Sequence, residues 1–304
     1  MKTKTLSRTQ LSKMDDWMRD NARAYDLAKW DHLFHSGTKD AIVHEMLNYQ
    51  NPDGGFGHGF EADLLSPLSA AIPTAEAIFQ AYEYGLDCNA DWMKRALSYF
   101  ENTLLPIPKY WEDCPREVLN DPHAPWWKAI PATAFSPNPC AVVASAFLRF
   151  GTDRQKKLGE QIAKDCFRLL LGNGFCGDHD TLNLQALVEQ LSLMHSPLIT
   201  QEIIEAMQRR ILENTCFDTG KYHKYYFTPA DFVSSPDSMW YGVVGHGMEQ
   251  MLDYWLDTLN EQDVWTPNFS WGCDTEAAKR STQCWTGYLA VKRARILKNF
   301  NRIE

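Results

Sequence analysis

Apolar residues recur along this chain at intervals of three and four. In residues 39–49, Ile42, Met46 and Tyr49 fall on one stripe, the spacing of a single helix face. The same rhythm predicts helices over 73–84 (Ile78, Phe79 and Tyr82 behind a first-turn Pro73), 90–104 (Trp92, Ala96, Tyr99, Phe100) and 138–150, opened by Asn138-Pro139 and closed before Gly151. Residues 153–171 repeat Leu158, Ile162, Cys166 and Leu170 at every fourth position. Helices follow over 180–194, 200–213, 249–259 and 276–298, and a first helix is predicted near 7–33 with Met14, Trp17, Met18 and Tyr25 on its buried side. Residues 222–227 (YHKYYF) are the one aromatic-rich strand candidate, readable as an extended loop or as half a hairpin. Alternating strand–helix order is absent, which argues against a Rossmann sheet or a TIM barrel. The pattern predicts an all-α chain with few or no strands.

The connections add a longer period. Loops rich in Gly, Asp and aromatic residues lie at 50–60, 172–180, 214–223 and 260–272. With Asp178, Asp218 and Asp263 as markers the steps are 40 and 45 residues, and Asp53 to Asp178 spans 125, room for about three more. A helix pair plus a loop is the unit of helical repeat architectures. The expectation is a single domain over 1–304, a closed (α/α) ring of about six inner and six outer helices around an axial cavity. Residues 105–137 break the rhythm with Pro106, Pro108, Trp111, Pro115, Pro122, Pro125, Trp126, Trp127, Pro131 and Pro137. So long a connection reads as a cap over one mouth of the ring, or as an Ω-like packing loop.

One loop carries a resemblance. Gln50-Asn51-Pro52-Asp53-Gly54-Gly55-Phe56-Gly57 resembles the Gln/Trp repeat motif of the squalene–hopene cyclase and protein prenyltransferase superfamily. That resemblance implies an α/α toroid, and in it the motif is structural, not catalytic. Read from chemistry alone, Gln50 ends an outer helix and bonds its exposed carbonyls. Asp53 caps nearby amides, the glycines allow a tight reversal, and Phe56 packs beneath the turn. The loops near 175, 217 and 265 are degraded copies. The sequence lacks the Asp-x-Asp-Asp string of class II cyclases and the Asp-Asp-x-x-Asp diphosphate–magnesium string. The nearest, Met14-Asp15-Asp16-Trp17, reads as solvated charge on the first helix. Trp271-Gly272-Cys273-Asp274 only faintly echoes a prenyltransferase zinc set.

Composition narrows the class of partner. Lys and Arg number 30 against 39 Asp and Glu, a net charge of −9, and no basic run is present, so nucleic acid and anionic membranes are poor partners. No apolar stretch approaches the roughly 20 residues of a membrane span, and the first residues carry no export signal. The eight cysteines form no C-x-x-C pair. They read as reduced thiols in a cytoplasmic protein. With no P-loop, Gly-x-Gly-x-x-Gly or Gly-x-Ser-x-Gly motif, no metal or cofactor is expected.

Four constellations can carry chemistry. In Gly57–Asp63, Glu61 and Asp63 are a candidate acid and base and His58 a proton carrier or metal ligand, or all three are surface charge with local caps. In Asp121–Trp127, Trp126 and Trp127 are a stacking platform or buried anchors, with His123 as polar handle. Asp178-His179-Asp180 reads as a helix cap. In Pro229–Ser238, Asp231 and Asp237 repeat the arrangement of paired carboxylates before an inner helix, or form ordinary Asx turns. His246, between two glycines, and Trp271 are added as cavity-lining candidates. His32 and His35, near a helix end, read as satisfying carbonyls.

The expected function is binding of, or acid/base chemistry on, a small or lipid-like organic substrate in an aromatic, carboxylate-rimmed cavity, by Glu61, Asp63, Asp237 and His58, with Trp126, Trp127, His123, Asp231, His246 and Trp271 binding it. Two alternatives stand beside it: a carbohydrate-active α/α-barrel hydrolase or lyase, whose tryptophans would stack on sugar rings, and a non-catalytic scaffold. Oligomeric state is not legible.

Overall fold

Helices carry the chain in the computed structural model, which describes residues 3–106, 110–128, 135–172 and 176–304. In order they are α1 (Arg8–Asn21), α2 (Ala24–Phe34), α3 (Lys39–Leu47), α4 (Ala71–Tyr84), α5 (Asp91–Asn102), α6 (Pro137–Phe150), α7 (Asp153–Leu171), α8 (Asp178–Leu193), α9 (Gln201–Glu213), α10 (Pro229–Phe232), α11 (Tyr241–Val244), α12 (Met248–Asp257) and α13 (Glu276–Asn299). Among the described residues β pairing is limited to four isolated bridges. The protein is all-α.

One helix boundary is corrected. The helix near 7–33 is two helices, because Ala22 (ψ 155°) and Arg23 (ψ 146°) are extended. The break frees the Arg23 side chain to turn back onto Asp26 in the first turn of α2, at 2.7 Å. Of the two readings left open for residues 222–227 the structure takes the loop, not the hairpin strand: Cys216 N–H donates to the Phe227 carbonyl at 2.8 Å and closes the segment. Elsewhere the boundaries agree to within about three residues, as fraying helix ends allow.

The chain divides into two compact units, one of Met46–Arg210, the other of Met1–Glu45 with Ile211–Glu304. In the first, α6 is the hub, in contact with α4, α5, α7 and α8. Its stretch CAVVASAF has no charged residue and is buried from Cys140 to Phe147, as expected of a helix apolar on all sides. A methyl group at Gly159 of α7 would lie 2.9 Å from the Phe147 Cβ and 3.0 Å from the Ala144 carbonyl, so glycine there lets the two backbones approach closely. Thr152 and Gln155 close a capping box at the start of α7. In the linking segment Tyr110, Trp111, Cys114 and Val118 are buried, and Trp111 donates to the Phe100 carbonyl at 2.8 Å. Pro108 and Pro131 lie outside the described residues, as do 173–175 of the loop at 172–180.

In the second unit α13 packs on α1 and α2. Near its end Arg302, 2% exposed, bonds the Lys4 carbonyl, Glu249 at 2.9 Å and Asp253. Leu6 exchanges backbone hydrogen bonds with Arg302 and Glu304. This clasp is made of backbone and charge together.

Candidate functional site

The reversal at 50–57 is held by side chains bonding backbone. Asp53 Oδ1 accepts from Gly55 N–H at 2.9 Å and from the Ser69 hydroxyl at 2.8 Å. Gln50 Nε2 donates to the Gly54 carbonyl at 3.0 Å and to the Trp92 carbonyl at 2.8 Å. Gln50 thus reaches α5 instead of the end of its own helix, a correction to the local reading. Gly54 has φ 93°, and a Cβ there would lie 2.1 Å from the Arg95 carbonyl. Phe56 is wholly buried, edge-on to Phe60 and Trp92, and its N–H donates to Thr74 Oγ1 at 2.9 Å.

This fixed turn delivers the acidic loop to the Trp-rich segment. Ala124 N–H donates to the Asp63 carbonyl at 2.9 Å, and Leu65 N–H to the Pro122 carbonyl at 3.0 Å, bridging Leu64 and His123 antiparallel. The Ser66 hydroxyl donates to Asp121 Oδ2 at 2.6 Å, and His123 Nδ1 lies 2.8 Å from the Asp121 carbonyl. The two tryptophans differ in burial. Trp127 packs on the cluster of Leu64, Ala70, Cys114 and Val118, whereas Trp126 is 46% exposed. Asp63 is 4% exposed and Glu61 partly exposed. His58, exposed with φ 57°, has its Nε2 2.9 Å from Asn51 Oδ1.

The remaining candidates belong to the other compact unit. Asp231 is the third residue of α10. Its Oδ2 accepts from Thr228 N–H at 2.8 Å and Thr228 Oγ1 at 2.9 Å, and its Oδ1 pairs with Lys292 Nζ at 2.8 Å. Burial would raise its pKa, but Lys292 and the Thr228 donors outweigh burial and hold it below the ordinary carboxylate value. Asp237 is exposed in the following turn. His246, also exposed, stacks on Phe217 with centroids 4.6 Å apart. Trp271 is partly exposed. The structure joins Glu61, Asp63, His123, Trp126 and Trp127 through one hydrogen-bonded loop pair. Asp231, Asp237, His246 and Trp271 are not part of it.

Sequence reading missed Arg293, Trp255 and Trp265. The guanidinium carbon of Arg293 lies 5.0 Å and 5.6 Å from the two indole centroids. The available signal was a Lys-Arg pair at 292–293 inside a helix between positions, Val291 and Ala294, that face the core. Asp15 is likewise no solvated charge. It accepts from Trp30 Nε1 at 2.7 Å, lies 2.7 Å from His35 Nε2 and pairs with Arg19. Burial would raise its pKa, but these partners hold it low. Of the two nearby histidines, His32 does meet a carbonyl, that of Gly37 at 3.0 Å.

Among the described residues no group of three His, Cys, Asp or Glu is placed to hold a metal, no helix is long and apolar enough to cross a membrane, and each cysteine is a free thiol. No protein-family model, curated protein or solved structure matches the chain. The class the coordinates define is that of an all-helical protein.

Proposed function

We propose that the protein binds a small or lipid-like organic molecule at the paired loops 57–63 and 121–127 and acts on it by acid/base chemistry. The observation that supports this reading is the backbone pairing through Asp63, Leu65, Pro122 and Ala124. It ties the segment carrying Glu61 and Asp63 to the one carrying His123 and the exposed Trp126, with Phe56 buried and Trp127 packed, partly buried, on Leu64, Ala70, Cys114 and Val118. Exposing an indole is costly unless a ligand covers it. Glu61, the more exposed carboxylate, is the proton-transfer group, and Asp63 the buried partner that completes the pair. The scaffold in this proposal is the α/α toroid implied by the Gln50–Gly57 motif, with terpenoid cyclases and prenyltransferases as the resembling group.

Carbohydrate is the second reading, favoured by the exposure of Trp126 on a loop paired with the one that carries Glu61 and Asp63, since indole faces stack on sugar rings and paired carboxylates cleave glycosidic bonds. The test of the acid/base step is Glu61→Gln and Asp63→Asn on the substrate that binds. Turnover falls by at least about a hundredfold in Glu61→Gln while binding persists. Full turnover in both variants removes acid/base chemistry from these residues and leaves a binding protein.

A further inference from the structure

Outside the paired loops, in the unit that contains α13, stands a cation with no hydrogen-bonded anion. Arg293 of α13 is partly exposed, and its guanidinium is flanked by the rings of Trp255 and Trp265. The two indoles are themselves tied together, because Trp265 Nε1 donates to the Trp255 carbonyl at 2.8 Å. A guanidinium held against aromatic faces keeps its N–H groups in one fixed plane. Among the described residues Arg293 makes no hydrogen bond and no ion pair. The nearby acid, Asp231, is already occupied: Lys292 takes Oδ1, and Thr228 takes Oδ2 through two donors. Burial pushes the Arg293 pKa down to about 10, although Asp231 and Tyr254 pull it upward. That is the mark of a guanidinium only partly compensated.

Two further donors around the same groups lack acceptors. Trp255 is 3% exposed and Tyr222 4% exposed. Neither the Trp255 Nε1 nor the Tyr222 hydroxyl has a partner among the described residues. Tyr222 stands edge-on to Tyr254 at 5.3 Å, and both it and Arg293 feel the Asp231 charge. A buried donor left unmatched costs about 1–3 kcal/mol, so two buried unmatched donors, a partly exposed guanidinium and a saturated carboxylate favour an acceptor that bonds several of these donors. The charge count selects its kind. Lys292 and Arg293 against Asp231 leave a net charge of +1, which one negative charge neutralises. A diphosphate would exceed it. A carboxylate also matches the guanidinium fork in a bidentate pair.

We propose that Arg293, flanked by Trp255 and Trp265 and supported by Tyr222, is a binding site for a small monocarboxylate. It is independent of the loop pair proposed above and requires nothing of that reaction.

The probe is sodium benzoate, with benzyl alcohol as its neutral counterpart, inorganic phosphate as the alternative anion and sodium chloride at matched ionic strength. Benzoate raises the melting temperature saturably, and benzyl alcohol, chloride and phosphate do not. Arg293→Met, which keeps the apolar stem, loses the benzoate response. Arg293→Lys, which keeps the charge without the fork, weakens it by about tenfold or more. Should Arg293→Met fail to fold, the wild-type indole N–H resonance of Trp255, assigned with Trp255→Phe, moves on benzoate titration. No benzoate response beyond that of chloride, an undiminished response in folded Arg293→Met, an unmoved Trp255 resonance, or tighter binding of phosphate than of benzoate each overturns the proposal.

Discussion

Asp26 is wholly buried between two cations: Arg23 Nε lies 2.7 Å from one carboxylate oxygen and Lys29 Nζ 2.7 Å from the other. Lys29 is itself 1% exposed, and its ammonium lies 4.2 Å from the centroid of the Tyr25 ring. Burial would raise the Asp26 pKa, but the two cations overcome it and hold the carboxyl below its ordinary value. A folded pKa below the unfolded value of about 3.9 adds stability that is complete above that pH and disappears as pH falls through the folded value. Asp26→Asn leaves a buried ammonium without its anion, so the variant loses about 3–5 kcal/mol at neutral pH. In urea unfolding the difference from wild type is widest at neutral pH and narrows below about pH 4. A constant difference across that range would contradict the assignment. Residues of this kind were illegible in the sequence: Asp26 and Asp15 look like helix-surface charge until the partner side chains, Arg23 or Trp30, are seen to fold back on them.

At the scale of elements, periodicity located the helices, and where local caps agreed it located their ends. Helix α7 spans the expected 153–171 because Thr152, Gln155 and Gly172 mark both limits. The division of α1 from α2 was hidden because Met14, Met18 and Tyr25 keep a helical spacing across the break. The motif at 50–57 was read correctly as a structural turn. Its partner was not, because the Gln50 side chain reaches the Trp92 carbonyl, 42 positions away. The turn yields a direct prediction. Gly54→Ala combines a positive φ with a methyl 2.1 Å from the Arg95 carbonyl, and loses more than about 1 kcal/mol. The urea midpoint reads that loss, and an unchanged midpoint would mean the turn does not hold this geometry in solution.

At the scale of the whole molecule, the residues chosen from sequence fall in two compact units. His58, Glu61, Asp63, His123, Trp126 and Trp127 lie in one, and Asp231, Asp237, His246 and Trp271 in the other. Each of the two acidic loops was legible as a polar interruption of a helical chain. The pairing of 57–63 with 121–127 was not, because it runs through backbone groups that every sequence possesses. Nor was the Arg293 cluster, because its indoles sit on α12 and in the loop after it, far from residue 293 in sequence. The proposed function requires Trp126 to be exposed for a ligand to cover. Its most direct test is thermal unfolding of the full chain and of Trp126→Ala with an isoprenoid diphosphate and with a neutral oligosaccharide. A ligand at a hundredfold excess over its Kd adds about 2.7 kcal/mol. One of the two classes raises the wild-type melting temperature by several degrees, and Trp126→Ala, folded and otherwise unchanged, loses the rise. Equal stabilisation of both proteins, or none by either class, would contradict it.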